Sequence, residues 1–230
     1  MMRKNRTVAY WNKVAPNYDR IVRRDLPIYA AMLDMIGPCV NNESRVLDVP
    51  SGTGILALRL AEKVKEVQGC DISPVMVELA NRKAREAGAD NCRFDCMDIH
   101  DLPFEKNIFD AVVAANVLHL LDNPGDALIH LAGFLKPGGI LLLPTYCHGE
   151  TLVSRGVSRI ASLAGFQVRN RWSLQGYLDF LAALGFIPEK VRYLKGLFPL
   201  SLVMIVQSSE KWIGTEKKAD SGPAPAGCSG

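Results

Sequence analysis

The chain has 230 residues, of which 48% are hydrophobic and 22% are charged, so it has an ordinary globular composition and is long enough to bury a core. Its formal net charge of +3 is a small excess, and no basic stripe with interleaved aromatic residues is present, which argues against a nucleic-acid partner. The longest apolar run, near residues 198–206, is far shorter than the ~20 residues that cross a bilayer. No continuous apolar stretch follows the basic start, as a secretory signal would require, so we expect a cytoplasmic protein without stable membrane insertion.

Short apolar runs alternate with longer helical patterns through the first two thirds of the chain. The runs predicted as strands are Arg45–Val49, Val67–Asp71, Cys92–Cys96, Phe109–Ala115 and Ile140–Thr145. The patterns predicted as helices are Ile55–Lys65, Pro74–Ala87 and Pro124–Leu135. This rhythm predicts right-handed crossovers and a doubly wound, mostly parallel α/β sheet.

Residues with clear capping chemistry mark two of the predicted helices. Ser73 precedes Pro74, and a serine at the N-cap with proline in the first turn is a strong helix start. Gly88 is positioned to end the same helix. Ser173 and Gly185 bracket the later helical pattern in the same way.

The rhythm changes after Tyr146. Residues 149–171 read as a lid-like insertion, and the runs 191–195 and 200–207 read as two late strands that form an antiparallel hairpin at the sheet edge. We therefore predict seven strands in total. The predicted organisation is a helical N-terminal cap at 1–40, an α/β domain at 41–213 and a disordered tail at 214–230, where Gly, Pro, Ala and Ser dominate.

The most informative stretch is the turn after the first predicted strand, residues 46–54. Gly52 and Gly54 have no Cβ, so their backbone can turn tightly and approach a ligand closely. Asp71 ends the second strand, 23 residues after Asp48 (71 − 48), and Asp98 follows the third. Acids at these strand ends can accept hydrogen bonds from ribose hydroxyls and from an adenine amine, at the edge where open α/β sheets bind ligands.

These motifs resemble those of class I S-adenosylmethionine (SAM)-dependent methyltransferases, in particular the small-molecule branch of the ubiquinone and menaquinone biosynthesis type. Residues 46–54 match the glycine motif of that family except at Pro50, residues 107–113 resemble its fourth-strand motif, and residues 135–139 resemble the turn before its fifth strand. Residues 11–19 resemble its N-terminal cap. The resemblance covers residues from about 11 to 207 and is specific for the family, but not for the methyl acceptor.

The resemblance implies SAM as the cofactor and a small-molecule methyl acceptor as the partner. The residues that it implies for cofactor binding follow the glycine turn and the next strand ends. They are Tyr18, Asp48, Pro50, Ser51, Gly52, Thr53, Gly54, Asp71, Ile72, Met76, Met97, Asp98, Ile99 and Asn116. Pro50 has no N–H and a fixed φ, so we expect that the first glycine of the family motif does not press against the cofactor.

Two histidines are candidate general bases on this interpretation. His119 follows the fourth strand and His148 follows the fifth, and an unperturbed imidazole titrates near neutral pH. Each also has a plain structural interpretation: His119 as a buried core residue and His148 as a surface residue in a loop. Tyr18, with Tyr10 and Trp11, is the candidate lid over the site.

The basic residues of the insertion have two interpretations. They could bind an acidic acceptor or form a solvated helix face, and they are Arg155, Arg159, Arg169 and Arg171.

Three different functions share parts of this pattern. A nicotinamide oxidoreductase also uses a glycine loop and a strand-end acid, although Ala57 stands where its third glycine would be. The second is a SAM-binding accessory protein without transfer activity, and the third is a methyltransferase that acts on RNA or protein. The six cysteines form no C-x-x-C pair, so no metal site is predicted. For the assembly state, we expect a monomer or a homodimer.

Overall fold

The computed structural model describes residues 2–23, 26–149, 168–194 and 200–206. They contain seven strands that form one sheet in the order β3-β2-β1-β4-β5-β7-β6. The strands are β1 (Arg45–Asp48), β2 (Glu66–Asp71), β3 (Cys92–Cys96), β4 (Phe109–Val113), β5 (Leu135–Tyr146), β6 (Lys190–Leu194) and β7 (Leu200–Val206).

The sheet is parallel from β3 to β5 and antiparallel beyond it. β1 pairs in parallel with both β2 and β4, so the chain reverses its winding direction beside β1. β7 pairs antiparallel with β5 and with β6, which lies at the edge. The predicted fold class, a mostly parallel seven-stranded sheet with a C-terminal antiparallel hairpin, is confirmed.

Seven α-helices accompany these strands among the described residues. They are α1 (Met2–Val14), α2 (Tyr18–Val22), α3 (Leu26–Ile36), α4 (Ile55–Ala61), α5 (Pro74–Ala87), α6 (Pro124–Ala132) and α7 (Leu174–Ala183). Short 3₁₀ turns occur at Ala15–Asn17, Gly37–Cys39 and Leu118–Leu120.

The central strands β1, β4 and β5 are largely buried on both faces, which explains why they are almost continuously apolar. Val46 and Leu47 are neighbours on β1 and fully buried, yet they point into two different hydrophobic clusters. One cluster includes residues of α3, α4 and α5, and the other includes residues of α6 and α7. Because successive side chains of a strand point to opposite faces of the sheet, one apolar run contributes residues to both hydrophobic clusters.

The predicted caps have the expected geometry. The Ser73 hydroxyl accepts a hydrogen bond from the Met76 N–H at 3.2 Å, and Gly88 ends α5 with a φ of 64°. The Ser173 hydroxyl accepts from the Gly176 N–H at 3.1 Å at the start of α7. These bonds satisfy N–H groups that have no partner within the first helical turn.

Two predicted helices are too long. α4 ends at Ala61 instead of Lys65, because the Lys65 N–H bonds to the Ser44 carbonyl at 3.0 Å as the chain turns into β2. α6 ends at Ala132 instead of Leu135, because Leu135 already pairs with Phe109 across the sheet. β5 therefore starts before the Lys-Pro-Gly-Gly turn that was expected to precede it.

The strand predicted as Phe109–Ala115 ends at Val113, two residues early. Asn116 shortly after it has a φ of 55°, which is incompatible with an extended strand. Most of the predicted insertion at 149–171 and all of the predicted tail at 214–230 lie outside the described residues. In the part of the chain that the structure describes, no helix has the length and apolar character needed to cross a membrane.

Candidate functional site

The turn after β1, residues 49–54, forms the floor of the candidate site, and we call it the glycine turn. Gly52 and Gly54 have φ values of 53° and 79°, which L side chains rarely adopt. A Cβ at Gly54 would lie 2.7 Å from the ring of Phe94 on β3, so the packing of this ring also leaves room only for a glycine. At Gly52 a Cβ would lie 3.4 Å from the Tyr18 ring.

A cleft opens above the glycine turn, with a volume of about 340 Å³ when the space open to solvent is included. It brings together seven residues that the sequence predicted for the site: Tyr18, Asp48, Pro50, Ser51, Gly52, Thr53 and Asn116. Four further residues that sequence reasoning missed complete the lining: Tyr29, Ile55, Leu56 and Ala115. Tyr29 comes from α3, and the available signal was that it is the only aromatic residue in a largely apolar helix.

Three polar atoms around the cleft are buried without a hydrogen-bond partner among the described residues. They are Asp48 Oδ1, Ser51 Oγ and Asn116 Oδ1. A buried polar atom without a partner lowers the stability of the folded state by about 1–3 kcal/mol. Three such atoms at one cleft therefore destabilise the protein if the cleft is empty. A polar ligand that donates hydrogen bonds to these atoms would remove that cost, so the cleft fits a polar small molecule.

Asp48, the acid at the end of β1, has a pKa far above that of an ordinary carboxyl group. Asp48 is 1% exposed, and burial raises the pKa of its carboxyl to about 8, with a further contribution from the negative charge of Asp71. The cleft therefore has a carboxyl group that is mostly neutral at pH 7 and that ionises when a cation arrives beside it.

Asp71 lies directly beside the glycine turn. The Gly52 N–H donates to Asp71 Oδ2 and the Ser73 N–H donates to Asp71 Oδ1, both at 2.9 Å. Burial raises the pKa of Asp71 to about 6, against the effect of these backbone donors. The carboxylate thus ties the glycine turn to the end of β2, and it is not among the residues that line the cleft.

Asp98 has a different environment, outside the cleft lining. Its Oδ2 pairs with Lys4 Nζ of α1 at 2.7 Å, and its Oδ1 accepts from the His100 N–H at 3.1 Å. Burial opposes ionisation, but the hydrogen bond and charge of Lys4 outweigh it and keep the pKa of Asp98 below its usual value. No local pattern in the sequence indicated that α1 reaches this acid.

The other residues predicted on the adenine side pack near the ends of β2 and β3. Met76 and Ile99 are buried, and Ile72 is half-buried. Met97 is half-buried, with its Sδ 3.7 Å from Cys70 Sγ. They lie outside the cleft lining as the structure describes it.

The N-terminal helices contact the start of α5. The Ser73 hydroxyl donates to the Asn12 side-chain oxygen at 2.7 Å. Trp11 makes edge contacts with both Tyr10 and Tyr18, at ring-centroid distances of 5.2 Å and 6.4 Å. We call residues 2–23 the lid segment.

The two histidines are brought together, although they are 29 residues apart (148 − 119). Their ring centroids are 5.0 Å apart, and the Tyr146 ring lies 6.1 Å and 6.0 Å from them. Both are almost fully buried. Burial and the neighbouring His148 lower the pKa of His119 to about 3, while burial and the charge of Arg171 lower the pKa of His148 to about 4.

This environment corrects the expectation that either imidazole titrates near neutral pH. Both rings are neutral at pH 7, because burial disfavours the charged form.

The predicted basic lid is only partly described. Arg155 and Arg159 lie outside the described residues. Arg169 pairs with Asp122 at 3.2 Å, and its N–H donates to the His119 carbonyl at 2.9 Å. Asp122 therefore already balances the charge of Arg169.

The sheet order, with the glycine turn at the reversal point, defines a Rossmann-like α/β domain. Residues 46–139 match the family model described as a methyltransferase domain. A demethylmenaquinone methyltransferase of Thermus thermophilus is 35% identical over 140 residues, which are 58% of this chain and 62% of that protein. These matches confirm the resemblance to small-molecule SAM-dependent methyltransferases that the sequence motifs indicated.

Two solved structures share the fold. The YcgJ protein of Bacillus subtilis aligns with a TM-score of 0.66 at 22% identity, over 78% of this chain and 98% of that one. Geranyl diphosphate C-methyltransferase of Streptomyces coelicolor A3(2) aligns with a TM-score of 0.67 at 21% identity, over 80% of each chain. The chain spans 29% to 62% of the length of the curated relatives that it matches.

Proposed function

We propose that the chain is a SAM-dependent methyltransferase that acts on a small-molecule acceptor. The observation that carries the proposal is the cleft above the glycine turn, where Asp48, Ser51 and Asn116 present buried polar atoms without partners in the described structure. A zwitterionic amino-acid group matches this lining, because its ammonium can donate to Asp48 and Asn116. The match of residues 46–139 to a methyltransferase domain supports the same assignment.

Each predicted cofactor-binding residue has a role in this proposal. Asp48, Asn116 and the glycine turn (Pro50, Ser51, Gly52, Thr53 and Gly54) hold the amino-acid end. Asp71 accepts from the ribose hydroxyls while it keeps its bonds to the backbone. Ile72, Met76, Met97, Asp98 and Ile99 surround the adenine, and the remaining acceptor capacity of the Asp98 carboxylate suits an exocyclic amine.

SAM supplies a methyl group on a sulfonium, which is already an excellent leaving group. The protein's own contribution is therefore orientation and exclusion of water, which together lower a barrier by several kcal/mol. Tyr18 closes over Gly52, and Trp11 supports it from α1. The lid segment thereby keeps the cleft dry during transfer.

The acceptor is proposed to bind beside the ends of β4 and β5, where Asn116 leads to His119 and Tyr146 leads to His148. A neutral imidazole can accept a hydrogen bond or a proton at every physiological pH, and its low pKa makes it a weak base. His119→Asn and His148→Asn are expected to lower turnover while SAM affinity is unchanged. If both variants keep full activity, neither histidine acts on the acceptor.

Calorimetry with SAM and with its demethylated product tests the cofactor directly. The wild-type protein should bind both compounds and should not bind a nicotinamide dinucleotide. Asp71→Asn should weaken binding at least tenfold, since it removes a charge-assisted acceptor. Asp95→Asn is the matched control, because Asp95 is an exposed acid on β3 whose side chain accepts from Gln68.

The same assay separates the competing functions. Dinucleotide binding without SAM binding would identify an oxidoreductase instead. SAM binding without methylation of any acceptor in a small-molecule panel would identify an accessory protein. The names of the relatives specify small acceptors, demethylmenaquinone and geranyl diphosphate, so lipophilic small molecules are the first acceptors to test.

The proposal includes a cytoplasmic location and a monomeric or homodimeric state, without a nucleic-acid partner. The small net charge of +3 supports the absence of a nucleic-acid partner. Light scattering of the purified chain measures the assembly state.

A further inference from the structure

Two side chains, one from α2 and one from α5, meet at Thr53 of the glycine turn. Lys83 of α5 donates to the Thr53 carbonyl at 3.1 Å. The same ammonium forms an ion pair with Asp19 of α2. The other carboxylate oxygen of Asp19 accepts from the Thr53 hydroxyl at 2.5 Å.

These contacts form a closed triangle, so each member has two partners in it. Lys83 is 24% exposed and Asp19 is 49% exposed, while Thr53 is almost fully buried. The ion pair is thus partly shielded from water, and both of its members bond to the same turn residue. Charge-assisted bonds of this kind are stronger than neutral ones.

The triangle fixes the lid segment relative to the cleft. Asp19 follows Tyr18 directly in the chain, and the Tyr18 ring lies against Gly52, the residue before Thr53. Anchoring Asp19 at Thr53 therefore sets the distance between the Tyr18 ring and the glycine turn. Lys83 itself does not line the cleft, so it acts on the cleft through Asp19 and Thr53.

We propose that Lys83 is a positioning residue that fastens the lid segment to the glycine turn and so controls how long a cofactor stays bound. The proposal rests on the proposed function. Opening the lid breaks the Lys83–Asp19 pair, and closing it restores the pair and brings Tyr18 back over Gly52. Lys83 does not touch the reacting atoms, and its effect lies in cofactor exchange.

The test uses the full chain with Lys83→Gln, Asp19→Asn and the double variant. The control is Arg82→Gln, because Arg82 is the neighbouring residue on α5 and pairs with Glu86 at the exposed surface. Lys83→Gln should raise the dissociation rate of S-adenosylhomocysteine about five- to tenfold, the range expected for loss of a partly exposed charge-assisted contact. The double variant should add little to either single change, because both remove the same contact.

Hydrogen exchange distinguishes positioning from general destabilisation. In the cofactor-free protein, Lys83→Gln should raise exchange in residues 2–23 and leave exchange in the central strands unchanged. Lys83→Arg should restore part of the wild-type dissociation rate, since it keeps the charge. Equal behaviour of Lys83→Gln and Arg82→Gln in both measurements would overturn the proposal.

Failure of this proposal and failure of the proposed function give different results. If the wild-type chain binds neither SAM nor S-adenosylhomocysteine, the proposed function fails and the positioning role fails with it. If the wild-type chain binds them and Lys83→Gln leaves the dissociation rate unchanged, only the positioning role fails.

Discussion

Asp48→Asn should make the folded protein more stable at neutral pH while it weakens cofactor binding. Burial, with the charge of Asp71, raises the pKa of the Asp48 carboxyl from 3.8 to about 8. The folded state therefore holds a proton that the unfolded chain has lost between about pH 4 and pH 8. In that window stability falls as the pH rises, because the unfolded state binds fewer protons.

The magnitude follows from the size of the shift. One pKa unit corresponds to 1.36 kcal/mol, so a raised carboxyl of this kind costs about 4 kcal/mol at pH 7. Asparagine removes that cost, but its amide leaves a polar group without a partner where Asp48 Oδ1 stands, at about 1–3 kcal/mol. The net gain is about 2 kcal/mol, which raises the melting temperature by roughly 4–8 °C.

Thermal melts of wild type and variant between pH 5 and pH 8 measure the effect. The advantage of Asp48→Asn should be largest at pH 8 and should shrink by roughly 4 kcal/mol towards pH 5. At pH 5 the solution is little above the unfolded carboxyl's pKa of 3.8, so most of the free energy that ionisation gives the unfolded wild-type chain has not yet accumulated. Asp95→Asn, which removes an exposed acid, is the matched control. An advantage independent of pH, or destabilisation at both ends, would refute the reasoning.

Three further outcomes are expected. Gly54→Ala should lower the free energy of unfolding by about 2–4 kcal/mol in urea melts, because the added Cβ meets the Phe94 ring at 2.7 Å and the φ of 79° is strained. Ser73→Ala should cost about 2 kcal/mol through loss of the N-cap bond to Met76 and of the hydroxyl's bond to Asn12. The pH profile of kcat at saturating cofactor should show no contribution from His119 or His148 near pH 6.5, since their pKa values are about 3 and 4.

Each of these has a control in the same molecule. Gly88→Ala has a similar positive φ of 64° but nothing within 4 Å of the new Cβ, so it should cost clearly less than Gly54→Ala. Ser173→Ala removes a cap bond of similar length on α7 but no bond to Asn12, so it should cost about 1 kcal/mol, less than Ser73→Ala. A kcat step near pH 6.5 that disappears in His119→Asn would contradict the burial of the histidine pair.

Much of the fold was determined by the sequence alone. Strand position, the parallel region and the hairpin follow from period-two apolar runs and from turn residues, which act over a few neighbouring positions. Helix starts were also accessible, because Ser73 and Ser173 cap their own next turn. Helix ends were harder to predict from the sequence. α6 ends before Leu135 because Leu135 pairs with Phe109 of β4 in the sheet.

The tertiary structure alone decided how the candidate site is arranged. The sequence placed Asp48, Asp71 and Asp98 at strand ends, but only packing determines that Asp48 is buried without full pairing, that Asp71 holds the glycine turn and that Asp98 pairs with Lys4. Contacts between residues far apart in the chain depend on how helices dock, and no local pattern records them. The same holds for the desolvation that keeps His119 neutral, because burial is a property of everything packed around a residue.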